Sequence, residues 1–169
     1  MRIAISGTPG TGKTEVSRKL SELLGYEYID LNKLAEENGL VVGFDKKRNS
    51  KIIETRKFKN LKIPENSVID GHLSHFVPAD LVVVLRTRPY ILKERLKKKG
   101  WPPKKVEENV EAEVLGICSF EAYEENQRVV EIDTTNKSPE VIAKVIKKMV
   151  DNNKFISRQI DWTEDFAGV

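Results

Sequence analysis

Cysteine is nearly absent from this chain: Cys118 is the only one among 169 residues. It cannot pair within the chain, and no neighbouring cysteine offers a metal site, so a reducing, cytoplasmic setting is expected. A small apolar packing role suits Cys118 better than any chemistry. Glutamine is almost as scarce, with only Gln127 and Gln159 beside many Lys and Glu, which leans toward a heat-adapted source. No apolar run is long enough to cross a membrane, and Met1-Arg2 leading straight into Ile-Ala-Ile and glycines does not read as a secretory leader. Charge of one sign is also lacking. A net charge of +3 excludes a polycation built to coat nucleic acid, although local clusters can still meet phosphates. There is no repeat, low-complexity stretch or linker.

What is present is ordinary for a folded protein with a heavily charged exterior: 39% hydrophobic and 33% charged residues, the apolar ones grouped into runs. The length fits one domain, 1–169, able to bury about 70% of its unfolded surface. Ile3 to Ile5 reads as a buried strand ended by Ser6-Gly7. Val16, Leu20, Leu23 and Leu24 recur at helical spacing from Gly12 on, with Gly25 as the stop. A second strand covers Tyr26 to Ile29, and Asp30 or Asn32 can cap a short helix from Leu31 to Asn38. Gly39 to Lys62 carries eight Lys and Arg with little apolar periodicity, and reads as a mobile insertion outside the core. Ser67 to Asp70 and Leu81 to Leu85 are continuous apolar runs, the pattern of strands buried on both faces.

Tyr90 to Lys99 is a basic helix ending at Gly100, and Trp101-Pro102-Pro103 breaks the chain. The pattern then predicts one long helix from Lys104 to Asn126, with Val106, Val110, Val114, Ile117 and Phe120 along one side. Val129 to Ile132 is a fifth strand, Pro139 to Val150 a closing helix, and the tail from Asp151 onward has no clear pattern. Alternating strands and helices predict an α/β fold with one doubly wound, five-stranded parallel sheet.

Gly7-Thr8-Pro9-Gly10-Thr11-Gly12-Lys13-Thr14 satisfies the phosphate-loop pattern G-x-x-x-x-G-K-[ST] in full. Its glycines let backbone N–H groups curl around phosphates at the positive end of a helix. In this pattern Lys13 reaches the terminal phosphates of ATP and the Thr14 hydroxyl ligates Mg²⁺. Its position between a predicted strand and a predicted helix removes most of the chance of a spurious match. Val68-Ile69-Asp70-Gly71-His72 ends a buried strand with a carboxylate, the place from which an Asp holds Mg²⁺ in phosphate-loop proteins. His72 is placed to orient a water or sense the terminal phosphate, with a backbone-bonded loop histidine as the plain alternative. For His75 only the plain reading applies.

Together with these two motifs, Leu85-Arg86-Thr87 through Glu94-Arg95-Leu96 to Gly100-Trp101, then Glu108-Asn109 and Glu113, and finally Asn136-Lys137-Ser138-Pro139, resemble the isoenzyme-six type of adenylate kinase. That family includes archaeal proteins and eukaryotic factors of small ribosomal subunit maturation. The resemblance covers residues 1 to 150. It implies a nucleoside monophosphate kinase fold with a monophosphate-binding segment at 39–62 and a small lid at about 96–106. It implies ATP bound by Gly10, Thr11, Gly12, Lys13, Thr14, Arg95, Asn136 and Lys137, with Mg²⁺ on Thr14 and Asp70. Lys13, Asp70, His72 and Arg95 would be catalytic, and Asp70 and His72 fall on the family's Asp-x-His ATPase motif. A ribosomal protein of the small-subunit platform is an implied partner.

The chain departs from that pattern at Glu36, where the family places an arginine that grips the AMP phosphate, and at Lys99, where it often has arginine. Either Arg48 or Arg56 supplies the missing charge, or AMP is a poor acceptor. Arg86, Arg95 and Lys99 are expected to stabilise charge at the transferred group, and Trp101 either reports lid closure or packs. Two readings follow: an adenylate kinase making two ADP, and an ATPase of ribosome assembly whose basic segment meets ribosomal RNA or protein. A GTP switch is the third and weakest reading, because Pro139 follows Asn136-Lys137-Ser138 where a guanine-reading carboxylate would stand.

Overall fold

The computed structural model describes residues 1–166; positions 167–169 of the expected domain lie outside the described residues. Each apolar run is a strand, and each strand turns alternate residues to opposite faces. β1 (Arg2–Ser6) leads through the glycine-rich loop into α1 (Lys13–Leu24), which stops at Gly25. β2 (Glu27–Asp30) passes directly into α2 (Leu31–Glu37), because the Asp30 carboxylate caps it, accepting from the Asn32 and Lys33 N–H groups at 2.9 and 3.2 Å. An antiparallel hairpin of β3 (Val41–Asp45) and β4 (Ser50–Ile53) follows. Further on come β5 (Ser67–Asp70), β6 (Leu81–Arg86), α3 (Pro89–Lys98), α4 (Pro103–Val114), α5 (Ile117–Glu125), β7 (Val129–Asp133), α6 (Pro139–Asp151) and a last turn, α7 (Thr163–Phe166).

The central sheet has the order β2-β5-β1-β6-β7 with every pairing parallel, so both faces need covering. On one face Ile3, Ile5, Leu81, Val83 and Leu85 meet Val16 and Leu20 of α1 and Ile142, Ala143 and Ile146 of α6. On the other, Ala4, Ile69, Val82 and Val84 meet Leu31 and Ala35 of α2 and Ala122 of α5. A third cluster, Leu92, Leu96, Val106 and Val110 with Trp101 against it, fastens α3 to α4 as a helical hairpin. No described helix is long and apolar enough to cross a membrane.

Two expectations need correction. The stretch from Gly39 to Lys62 is ordered, with the β3–β4 hairpin followed by a 3₁₀ turn over Thr55–Asn60. Phe58 in that turn is fully buried and joins the second core cluster with Leu40 and Ile63. A hairpin with one solvated face shows weak alternation, and charged residues conceal it. The long helix from Lys104 to Asn126 is two helices, broken at Gly116, whose φ of +63° belongs to the left-handed region. The break turns Ile117 and Phe120 outward, at 40% and 65% exposure, instead of aligning them with Val106, Val110 and Val114.

A Cβ on Gly116 would lie 3.6 Å from the Arg86 guanidinium nitrogens, an ordinary contact, so backbone conformation and not collision sets the cost of replacement. Gly116→Ala should therefore lower the unfolding free energy by about 1–2 kcal/mol. Urea denaturation measures it, and an unchanged midpoint would show that α4 and α5 do not need this turn.

Candidate functional site

Strand register assembles the site. Asp30 pairs with Asp70 across β2 and β5, and Asp70 with Ile5 across β5 and β1, so these residues share the carboxyl edge of the sheet. Ligands of open parallel sheets collect at this edge, and here it holds a cavity of about 740 Å³. The glycine-rich loop forms its floor. Gly10 has φ +96°, and a Cβ there would stand 2.8 Å from Leu92 Cδ1 and 3.0 Å from Leu96 Cδ2. Only glycine lets the loop lie flat on α3.

Lys13 bends back over the loop and its Nζ donates to the Thr8 carbonyl at 3.0 Å. Burial pulls its pKa below the usual lysine range, against the opposing field of Asp70 and Glu113. The Thr14 hydroxyl donates to Asp70 Oδ2 at 2.7 Å, and the Tyr28 hydroxyl donates to the same oxygen at 2.9 Å. Burial and the Asp70 charge push Tyr28 up to about 12. The Arg18 guanidinium lies over the Tyr28 ring, 5.1 Å from its centre. Arg95 reaches from α3 to the carbonyls of Gly10, Thr134 and Thr135 at 3.4, 3.2 and 3.2 Å, tying the loop to the segment after β7.

Gly10, Thr11, Gly12, Lys13, Thr14, Asp70, His72, Arg95 and Lys137 thus all line one cavity. Its wall carries six cationic side chains, Lys13, Arg18, Arg95, Lys98, Lys99 and Lys137, against three carboxylates, Glu15, Asp30 and Asp70. Such an excess concentrates an anionic ligand. His72 is part of this lining, and desolvation by its surroundings, with the Lys13 charge second, lowers its pKa to about 4. His75 takes the plain reading: it is buried, with Nδ1 2.7 Å from Ser6 Oγ and Nε2 3.1 Å from Glu121.

Other expectations are not met. Arg48 and Arg56 do not line the cavity; Arg48 sits on the hairpin turn with Glu108 at 3.3 Å and Asp45 at 3.5 Å, and Arg56 is exposed on the 3₁₀ turn. Asn136 is exposed and also stands outside. Glu36 pairs with Lys51 on the hairpin. Arg86 is not a cavity cation at all. It is 2% exposed and sealed between Glu113 and Glu131, each at 2.8 Å, so it cannot reach a transferred group. Cys118 is partly buried against the second core cluster, and desolvation raises its thiol to about 11, which fits an inert packing role.

Tyr28 and Arg18 carry no sequence signal for the roles they take. They look like any strand aromatic and helix-surface cation, and only the fold puts them beside Asp70. A divalent ion fits here as a hard cation on oxygen. Among the described residues no group of three or more His, Cys, Asp or Glu could cage a metal, so the available donors are the Thr14 hydroxyl and one Asp70 carboxylate. That is the sparse set Mg²⁺ accepts when substrate phosphates complete its shell.

Residues 3–116 match the AAA domain family. A protein of Thermococcus onnurineus named "Putative adenylate kinase" is 44% identical over 171 residues, spanning 100% of this chain and 95% of its own length. A Pyrococcus abyssi protein of the same name is 44% identical over 168 residues, 97% of this chain and 92% of the relative. Among solved structures, shikimate kinase from Acinetobacter baumannii superposes with a TM-score of 0.64 at 23% identity, covering 92% of this chain and 95% of the other. At that identity the likeness is one of fold.

His72 and His75 both titrate near 4 in the folded chain, below their ordinary value of 6.5. Between these values the unfolded chain binds more protons, so stability rises with pH across that window. It should be fully present above pH 6.5 and decline as pH falls toward 4. Urea midpoints at pH 7 and pH 5 should differ in that sense, and His75→Gln should flatten the difference; a midpoint that holds or rises on acidification would contradict neutral imidazoles.

Proposed function

The chain belongs to the AAA domain family and, at 44% identity over its whole length, to the same kinase group as the Thermococcus and Pyrococcus proteins; from that premise we propose that it transfers the γ-phosphoryl group of ATP to AMP, giving two ADP, with ATP hydrolysis as a side activity. The observation that carries this reading is the meeting of Thr14 and Asp70 at 2.7 Å beside the phosphate loop, on the wall of a cationic cavity.

In this reading the loop from Gly10 to Thr14 holds the triphosphate, and Lys13 leaves the Thr8 carbonyl to meet the terminal phosphates. Mg²⁺ on Thr14 and Asp70 would neutralise developing phosphate charge. Tyr28, protonated at every working pH, keeps a hydrogen bond on the same Asp70 oxygen and so fixes the carboxylate rotamer. Arg95 holds the loop against the segment after β7, and with Lys137 and Lys99 it adds positive charge along the triphosphate. An AMP phosphate oxygen attacks the γ-phosphorus, the bond to the β,γ-bridging oxygen breaks, and ADP leaves from each side. Little covalent work falls to the protein, which mainly positions groups and excludes water. His72, neutral at pH 7, can accept a hydrogen bond from a water at the cavity and so serve hydrolysis.

The hairpin within 39–62 would serve the monophosphate and the turn near 96–106 the lid. Arg48 and Arg56 would contribute to AMP only after the hairpin swings inward, since they now lie outside the cavity; Arg18 already stands at the Asp70 end and supplies charge there. That same placement of Arg48 and Arg56 favours a second reading, an ATPase of small-subunit assembly whose basic hairpin meets ribosomal RNA or a ribosomal protein.

Product analysis with ATP and Mg²⁺, with and without AMP, separates the two. AMP-dependent ADP formed at twice the rate of ATP loss supports the kinase; equal ADP and phosphate regardless of AMP overturns it in favour of the ATPase. Lys13→Ala should abolish both activities, and unchanged turnover would sink the phosphate site. His72→Ala should lower hydrolysis more than transfer, which the two rates measured side by side will check.

A further inference from the structure

The chain after α6 has no sequence pattern that explains its presence, yet it is fastened to the interior at several points. Ser157 Oγ lies 2.7 Å from the Tyr123 hydroxyl and accepts the Glu131 N–H at 3.3 Å. The Ile160 carbonyl accepts from Arg86 at 2.9 Å, while its N–H donates to Glu131 Oε2 at 3.1 Å. Trp162 is 7% exposed, its ring 5.4 Å from the Arg88 guanidinium, and its indole N–H donates to Glu113 Oε1 at 3.3 Å.

Glu113 is where this path meets the phosphate loop. Its carboxylate, 1% exposed at the end of α4, accepts from Arg86 Nε at 2.8 Å, the Thr87 N–H at 3.0 Å and Trp162 on one oxygen. The other oxygen accepts from the Thr8 hydroxyl at 2.5 Å. Thr8 is the loop residue whose carbonyl receives Lys13 Nζ and the Thr11 hydroxyl, at 3.0 and 2.9 Å. A continuous chain of hydrogen bonds therefore runs from Trp162 through Glu113 and Thr8 to Lys13.

We propose that Glu113 and Trp162 are positioning residues for the phosphate loop, and that the C-terminal segment is a strap that holds the Glu113 carboxylate in the orientation the loop requires. A buried carboxylate keeps one orientation only while donors hold it from several sides. Without the indole N–H, Oε1 keeps Arg86 Nε and the Thr87 N–H but loses its donor from the C-terminal segment, and the carboxylate is freer to rotate. Rotation moves Oε2 away from Thr8 and frees the loop peptide whose carbonyl also holds the Thr11 hydroxyl. The loop's conformation is then no longer preformed for a triphosphate, and ordering it falls to the ligand.

This inference rests on the reading of Lys13 and its loop as the triphosphate site. The test is titration of the full chain with the β,γ-imido analogue of ATP and Mg²⁺, at a temperature where each variant is fully folded by thermal melt. Trp162→Phe keeps an aromatic ring and removes the donor; it should weaken binding about threefold to tenfold, the scale of one ordinary hydrogen bond, since the contact is long and acts through Glu113. In turnover the loss should fall on KM for ATP with kcat within about twofold. Thr8→Val should weaken binding to a similar degree. Tyr123→Phe loosens the strap at Ser157, away from Glu113, and should lower the melting temperature without changing affinity. Affinity unchanged in Trp162→Phe, or lowered equally in Tyr123→Phe, overturns the proposal by reducing the strap to general packing. Wild type that fails to bind the analogue, indistinguishable from Lys13→Ala, overturns the triphosphate site itself.

Discussion

One buried cation organises the molecule. Arg86, at the end of β6, is enclosed by two carboxylates, Glu113 from α4 and Glu131 from β7, and by the Glu113 carbonyl, the Ser119 hydroxyl and the Ile160 carbonyl. Removing the guanidinium would leave two carboxylates uncompensated in a dry interior, which costs several kcal/mol, about 3–5 in comparable cases. The helical hairpin, the far strand of the sheet, the broken helix and the last residues therefore share one anchoring point. Gly116 allows that meeting through its left-handed turn, which breaks the helix beside the guanidinium.

Much of this architecture is legible in the sequence because the signals are local. Short, largely apolar runs name the five parallel strands, and Gly25 and Asp30 mark where α1 stops and α2 begins. The phosphate loop and Asp70 can be paired from sequence alone, since a strand end is where a sheet presents its side chains. What stays hidden depends on contacts distant in sequence. The hairpin of β3 and β4 is half solvated, so its alternation is faint, and Phe58 is one apolar residue among lysines. The break at Gly116 serves Arg86, far earlier in the chain, and no periodicity within the helix announces it.

The same distinction explains the arginines. By its place after a strand Arg86 reads as a site cation, yet its neighbours on α4 and β7 claim it for the interior. Arg95, on the adjoining helix, reads as a cavity residue and is one, and it also grips three backbone carbonyls. Carbonyls hold a guanidinium without cancelling its charge, so Arg95 remains an electrostatic asset where Arg86 is not. Acceptor binding is the least legible part, because Glu36 removes the expected arginine and the candidates Arg48 and Arg56 stand on a segment outside the cavity as it is now shaped.

The segment after α6 bears on the behaviour of the protein in solution as well as on its site. β7 is an outer strand of the sheet, and an outer strand offers a row of unpaired backbone groups to any other chain. Here Ser157 takes the Glu131 N–H and Ile160 binds the Glu131 side chain, so the tail interrupts that margin at its middle residue. The opposite margin, β2, is four residues long and carries Glu27 and Asp30, too short and too charged to template a foreign strand. A crowded cell, and a concentrated sample, would therefore find neither border of the sheet a long, uninterrupted template for strand-by-strand association.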